Sequence, residues 1–252
     1  MNSKFRFGRL ILLTSLLGLV ITACSSQPTS TEPTDEEFNT LLSQSLIAFD
    51  RDRLTIASRS INQALQQKPN SADANNIAGL IYARANRPID AQKFFKKALS
   101  IAPQDSSTLN NYGNFACNQG DLELAESLFN RAINNPKNPK PEVAHTNAGL
   151  CSLRASNLDQ AAMHLRAAIA KQEDNPTALY HLAQINLDKN RPAPALKRLN
   201  DYAKHAPHSP KTLWLGVQIS RLMSNPELEL RYRNMLSQQF PDSKEYRLML
   251  KR

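Results

Sequence analysis

The chain has 252 residues, 41% of them hydrophobic, with 7 Gly, 15 Pro and a formal charge of +9. Lys4, Arg6 and Arg9 carry three of those charges at the N-terminus, and the remainder is modest for a chain of this size. No helical pattern shows a Lys/Arg stripe with interleaved aromatics, so the basic balance gives no reason to read nucleic-acid binding.

Residues 1–23 open with the positive segment Lys4, Arg6 and Arg9, followed by the apolar run Leu10 to Ile21. The run is well short of the ~20 residues of a spanning helix, and its charge order is that of a secretory signal peptide. It closes on Ile21-Thr22-Ala23-Cys24. That tetrapeptide resembles the lipobox of bacterial lipoproteins. The resemblance implies cleavage before Cys24, acylation of its thiol and amine, and a lipid anchor at a membrane. Ser25 and Ser26 follow where an Asp would favour inner-membrane retention, which implies the periplasmic face of the outer membrane. Residues 24–37 then read as a lipidated, flexible tether: Ser25 to Thr34 is polar and Pro-containing, with too little apolar surface to order itself. Asp35-Glu36-Glu37 begins the first helix, acidic where the helix dipole favours acids.

The rest, 38–252, repeats a unit seen most clearly between Ala72 and Asp105. Two helical patterns meet near Asn86-Arg87-Pro88. Ala78, Gly79 and Tyr82 fall at helical spacing in the first. Ala91, Phe95 and Ala98 do so in the second, and Pro103 closes the unit. Small residues stand where helices approach, and large ones where the gap must be filled. This resembles the tetratricopeptide repeat, with Asn75 where a Trp is usual. The same frame places units at 38–71, 72–105 and 106–139. After two extra residues in a Pro-rich loop it continues at 142–175 and 176–209, with a degenerate sixth at 210–243. The resemblance implies an all-α, right-handed superhelical solenoid of about six tetratricopeptide repeats.

Cys117 and Cys151 lie late in the first helices of the third and fourth units. First helices of adjacent repeats pack side by side, and a periplasmic address permits a disulfide. A Cys117–Cys151 bond is the expectation, against the alternative of two buried free thiols. No His or third Cys clusters with them at ligand spacing, so no metal is expected. Nor is there a phosphate loop, a nucleophile elbow or a zinc-hydrolase motif. The five histidines are scattered, and the acidic residues sit mostly at capping positions. The reading is a non-enzyme with no catalytic residues, no cofactor and no small-molecule substrate.

What remains is surface. The first helices of such units line a concave face. Their inner row runs through Leu42, Leu46 and Phe49, then Asn76 and Leu80, then Asn110 and Asn114, then Leu150 and Tyr180. Apolar residues mixed with Asn suit an extended protein segment, because an Asn amide bonds both backbone N–H and C=O. For the Leu residues, packing against the next repeat is an equal reading.

Two phrases go beyond the repeat pattern. One is Asn110-Asn111-Tyr112-Gly113-Asn114-Phe115-Ala116-Cys117, the other Asn147-Ala148-Gly149-Leu150-Cys151. The Pro-rich loop Asn135 to Pro141 lies between them. With the lipobox and six repeats, the chain is similar to the PilW/PilF family of type IV pilus biogenesis lipoproteins, the pilotins. The resemblance implies a protein partner, pilus secretin subunits, and a role in assembling the secretin ring. The alternative is a repeat lipoprotein of another envelope machine, for outer-membrane protein insertion or peptidoglycan-enzyme recruitment.

Overall fold

The computed structural model describes residues 35–251. The signal peptide 1–23, the acylation site Cys24 and the tether up to residue 34 lie outside them. Among the described residues there are thirteen helices and no strand, and twelve of the helices form six antiparallel pairs. These are α1 (Asp35–Asp50) with α2 (Leu54–Gln67), α3 (Ala72–Arg84) with α4 (Pro88–Ile101), and α5 (Ser106–Gln119) with α6 (Leu122–Ile133). They continue with α7 (Pro141–Arg154) and α8 (Leu158–Lys171), α9 (Pro176–Asp188) and α10 (Pro192–His205), and α11 (Pro210–Leu222) and α12 (Pro226–Gln239). A short α13 (Lys244–Leu250) follows. Each pair packs mainly on its neighbours in sequence, which makes the chain an all-α solenoid. Since α1 opens at Asp35, residues 35–37 are helical and not part of a flexible tether. Asp35, Glu36 and Glu37 occupy the first turn, and Asp35 is bonded to Lys68, the residue that caps the end of α2.

The turn inside every pair is built the same way. One residue takes a left-handed conformation: Asp52, Asn86, Gly120, Ser156, Asn190 and Ser224 in order. The next backbone N–H then reaches back to the last turn of the first helix. Arg53 donates to the Ala48 carbonyl, Arg87 to Tyr82, Asp121 to Ala116, Asn157 to Ser152, Arg191 to Asn186 and Asn225 to Ser220. These are the six-to-one bonds of a Schellman motif, which satisfy carbonyls left open at a helix end. Asp and Asn tolerate the conformation better than most side chains, and Gly120 takes it at no steric cost.

Between pairs, side-chain caps start the first helices. Ser71 accepts from the Ala74 N–H, Asp105 from Thr108 and Asn175 from Ala178, and Ser209 forms a capping box with Thr212. Pro stands at the N-terminus of α4, α7, α9, α10, α11 and α12, where a missing N–H costs nothing. The loop carrying the two extra residues holds three prolines, which donate nothing. Its two asparagines tie it down instead. Asn135 donates to the Gln104 carbonyl and to Ser106 Oγ, and Asn138 donates to the Ala132 carbonyl.

The core of each pair is a large side chain from the second helix lying on a small residue of the first. Phe95, Phe129 and Leu165 cover Gly79, Gly113 and Gly149. A Cβ added at Gly79 would sit 2.6 Å from the Phe95 ring, and one at Gly113 2.7 Å from Phe129. Both rings are fully buried, so the crowding would cost about 1–3 kcal/mol. The sixth pair keeps the device, with Tyr232 over Gly216. Both residues stand one position ahead of the frame that fits the other units. That one-residue phase shift is why the unit reads as degenerate in sequence although it packs like the others. Beyond it, α13 packs on α11 and α12, and Met249 and Tyr246 join their apolar cluster. It fills the place a seventh first helix would take and closes that end of the stack.

Candidate partner-binding face

The residues expected on the inner row all lie on first helices, and all are partly accessible. Among the described residues no repeat precedes α1. Leu46 is 40% exposed and the adjacent Ile47 53%. Leu42 and Phe49 are half-buried against the core, and the Arg84 guanidinium lies 5.8 Å from the Phe49 ring centroid. Leu80 also rests on the core, whereas Leu150 does not. At the far end Tyr180 meets His181 edge-on at 4.9 Å and packs on the cluster that holds Trp214 and Tyr246. Burial, with Glu245 of α13 and Asp188 adding to it, pushes the Tyr180 phenol above its ordinary range.

The asparagines are partly committed. Asn76 Oδ1 accepts from Asn111 Nδ2 at 3.1 Å, and Asn110 Oδ1 accepts from Asn147 Nδ2 at 2.9 Å. Asn111 and Asn147 are therefore part of the face, and the sequence reading did not single them out as such. Their role depends on how neighbouring repeats register, although both stand inside the phrases noted above. Asn114 makes no side-chain hydrogen bond. Further along, Asn118 accepts from Arg154, again across α5 and α7. An open cleft of about 200 Å³ adjoins the face between α5, α7 and the Pro-rich loop, where Ser107, Asn110, Asn111, Asn138, Lys140 and Val143 line it.

Cys117 and Cys151 are joined by a disulfide with their Cα atoms 5.9 Å apart. It ties α5 to α7, the same two helices that the asparagines bridge.

His145 and His164 of the fourth pair lie side by side, Nδ1 to Nδ1 at 3.4 Å. Burial lowers the pKa of both. Lys171 and the neighbouring ring reinforce this at His145, while Glu126 opposes it at His164. Burial also depresses His181 and His208. A histidine whose folded pKa lies below its unfolded value of ~6.5 takes up its proton first in the unfolded chain. Stability is therefore complete above about pH 6.5 and declines as pH falls through the histidine range. The depressed carboxylates Asp35, Asp159, Asp201 and Glu229 act only at lower pH. Urea midpoints should fall between about pH 7 and 5. A flat profile in that window would show that the histidines keep their free values.

Among the described residues no group of three or more His, Cys, Asp or Glu could hold a metal, and no helix is long and apolar enough to cross a membrane. What the geometry offers is a long, half-polar concave face fixed by regular packing, which is the equipment of a binding scaffold.

Tetratricopeptide-repeat family models match residues 42–106, 94–127 and 152–212. The chain belongs to the tetratricopeptide-repeat proteins, with about six repeats. Within that class it is similar to the type IV pilus biogenesis factors PilF and PilW. It is 23% identical over 239 residues to the type IV pilus assembly protein PilF of Pseudomonas aeruginosa, covering 93% of this chain and 95% of that one. The crystal structure of PilW, described as a widely conserved type IV pilus biogenesis factor, superposes with a TM-score of 0.77 at 26% identity. That match covers 86% of this chain and all of the other. The structure of Pseudomonas aeruginosa PilF has the same fold, at a TM-score of 0.75 and 22% identity over 86% of this chain and 98% of that one.

Proposed function

We propose that this chain is a lipid-anchored scaffold of type IV pilus biogenesis, a pilotin that promotes assembly and stability of the pilus secretin at the outer membrane. The observation that carries the reading is the match to PilF over 93% and to PilW over 86% of this chain, since the repeat by itself is shared by many unrelated adaptors. In this reading secretin subunits bind the concave face, chiefly at Leu42, Leu46 and Phe49. The scaffold performs no chemistry. Acylated Cys24 confines it at the periplasmic face of the membrane, and confinement raises the local concentration of a bound subunit where the ring must insert.

The lipid is the separable part. A deletion strain complemented with the wild-type gene should regain surface pili and twitching. Complementation with Cys24→Ala should give unprocessed precursor, retained secretin binding, and slow or misplaced assembly. Mass spectrometry should find acylated Cys24 at the N-terminus of the native membrane-fraction protein. An unmodified Cys24 there would refute the anchor.

A further inference from the structure

Charge divides the two sides of the solenoid. The second helices of the six pairs, which form its outer, convex side, carry twelve Lys and Arg against seven Asp and Glu. The first helices carry four against seven. On the outer side the excess gathers in the first three pairs, at Arg59, Lys93, Lys96, Lys97 and Arg131, with Lys137 just past α6. All six are exposed, and among the described residues none stands within ion-pair distance of a carboxylate. Arg198 and Lys204 of α10, by contrast, both pair with Asp201. Asp90 of α4 is already paired with Arg87, and Glu123 and Glu126 lie in the first half of α6, away from Arg131. Ile89, Lys93, Lys96, Lys97 and Ser100 share one face of α4 by their spacing, and Ile89 is 84% exposed. An open cleft of about 760 Å³ beside Arg131 and Lys137 is lined by Gln104, Ser127, Asn130 and Asn134.

We propose that this outer face docks on a bilayer surface rich in anionic phospholipid, with the α4 lysines and the cations at the end of α6 meeting headgroup phosphates. The proposal rests on the lipid-anchored reading above and adds the surface and the orientation in which the scaffold lies. Charge complementarity selects the occupant. A cation near an anionic bilayer improves partitioning about fivefold, and one with no carboxylate to give up keeps that gain whole. Lysine stems reach down to the headgroups, and Ile89 at the start of the same face enters the interface. The cleft adds amide and hydroxyl donors for a phosphate beside Arg131, whose guanidinium is fixed by the Pro103 carbonyl. The anchor supplies the proximity. The eleven steps of chain from Cys24 to Asp35 span at most about 36–40 Å, so the repeats stay within that distance of the membrane. Asp35 is bonded to Lys68, so the tether joins the repeats at the edge where the second helices end. That is the edge of Arg131 and Lys137. Docked this way, the concave face looks away from the bilayer and stays open to a protein partner.

Lysine acetylation read by mass spectrometry tests the docking on the chain purified from its native membrane and reconstituted into vesicles. One set of vesicles is phosphatidylcholine alone, and the other is equal parts phosphatidylcholine and phosphatidylglycerol. At low salt Lys93, Lys96, Lys97 and Lys137 should react at least about fivefold more slowly on the anionic vesicles, and high salt should remove the difference. Lys211 and Lys244, exposed on first helices and α13, should react equally on both. In the triple variant Lys93→Gln/Lys96→Gln/Lys97→Gln the docking equilibrium should weaken about a hundredfold, and Lys137 should react as it does on phosphatidylcholine. Equal rates on the two vesicles, or equal protection by free inorganic phosphate, would overturn the proposal. So would protection that appears only when secretin is added, which would make the face a protein contact. Acylation of Cys24 is read in the same spectra, so the anchor and the docking fail separately. Protected lysines in a protein whose deletion spares the secretin would keep this inference and remove the pilus reading.

Discussion

Replacing Cys117 and Cys151 by Ser should lower the stability of the repeat array by about 3–4 kcal/mol. The figure follows from the sequence separation of 34 between the two cysteines, whose closure removes that much chain entropy from the unfolded state. For a chain of this size the melting temperature should fall by ~10 °C. The loss should be local in origin. Repeat arrays couple only through nearest neighbours, so loosening α5 against α7 weakens the third and fourth pairs first and divides the stack at its middle. The Pro-rich loop lies at the same junction, and Asn135 and Asn138 donate the side-chain hydrogen bonds that tie it to its neighbours. Thermal unfolding under oxidising and reducing conditions, beside the double Ser variant, is the measurement. Coincident melts of all three would show that helix packing alone fixes the junction.

The second large effect is expected at the open end of the stack. Replacing Leu46 and Phe49 by Ser should reduce secretin capture at least about tenfold, since burial of one such side chain contributes ~1.5–3 kcal/mol. Leu46 stands 40% exposed on the first described helix, beside Ile47 at 53%. On the function proposed above, this exposed apolar surface is where the partner docks. Phe49 is half-buried, and part of its cost falls on the packing of α1 against α3 and on its contact with Arg84. The far repeats do not touch it, so the disulfide-linked pairs should keep their melting behaviour. Pull-down of detergent-solubilised secretin with the purified variant separates the two effects. Normal capture by the double variant would move the contact away from this end of the face.

Much of the architecture is readable from residue size alone. Ala57, Ala91, Ala125, Ala161 and Ala195 are all fully buried, and Phe95, Phe129, Leu165 and Leu199 fill the space beside them. Steric need fixes these positions, so they repeat visibly. The left-handed turn residues repeat just as regularly, yet Asp52, Asn86, Ser156, Asn190 and Ser224 look like any polar residue at a helix end. Only the backbone dihedral reveals their common task. Gly216 and Tyr232 escape a fixed frame because the pair moves together by one residue and conserves its own spacing. The candidate face was legible in part. Its helices and most of its half-exposed side chains follow from the repeat. The asparagine bridges do not, because a hydrogen bond between units depends on the rotation of one repeat against the next, and a one-dimensional pattern carries no record of that rotation.

The central claim is that this scaffold is needed to build the secretin ring, and one blot addresses it. Membranes from a clean deletion strain, from its complemented derivative and from the parent would be heated in detergent and probed for the secretin. The account predicts heat-resistant multimers in the parent and the complemented strain, and monomers with few or no multimers in the deletion. Parental levels of multimer in the deletion strain, together with normal surface piliation, would contradict it.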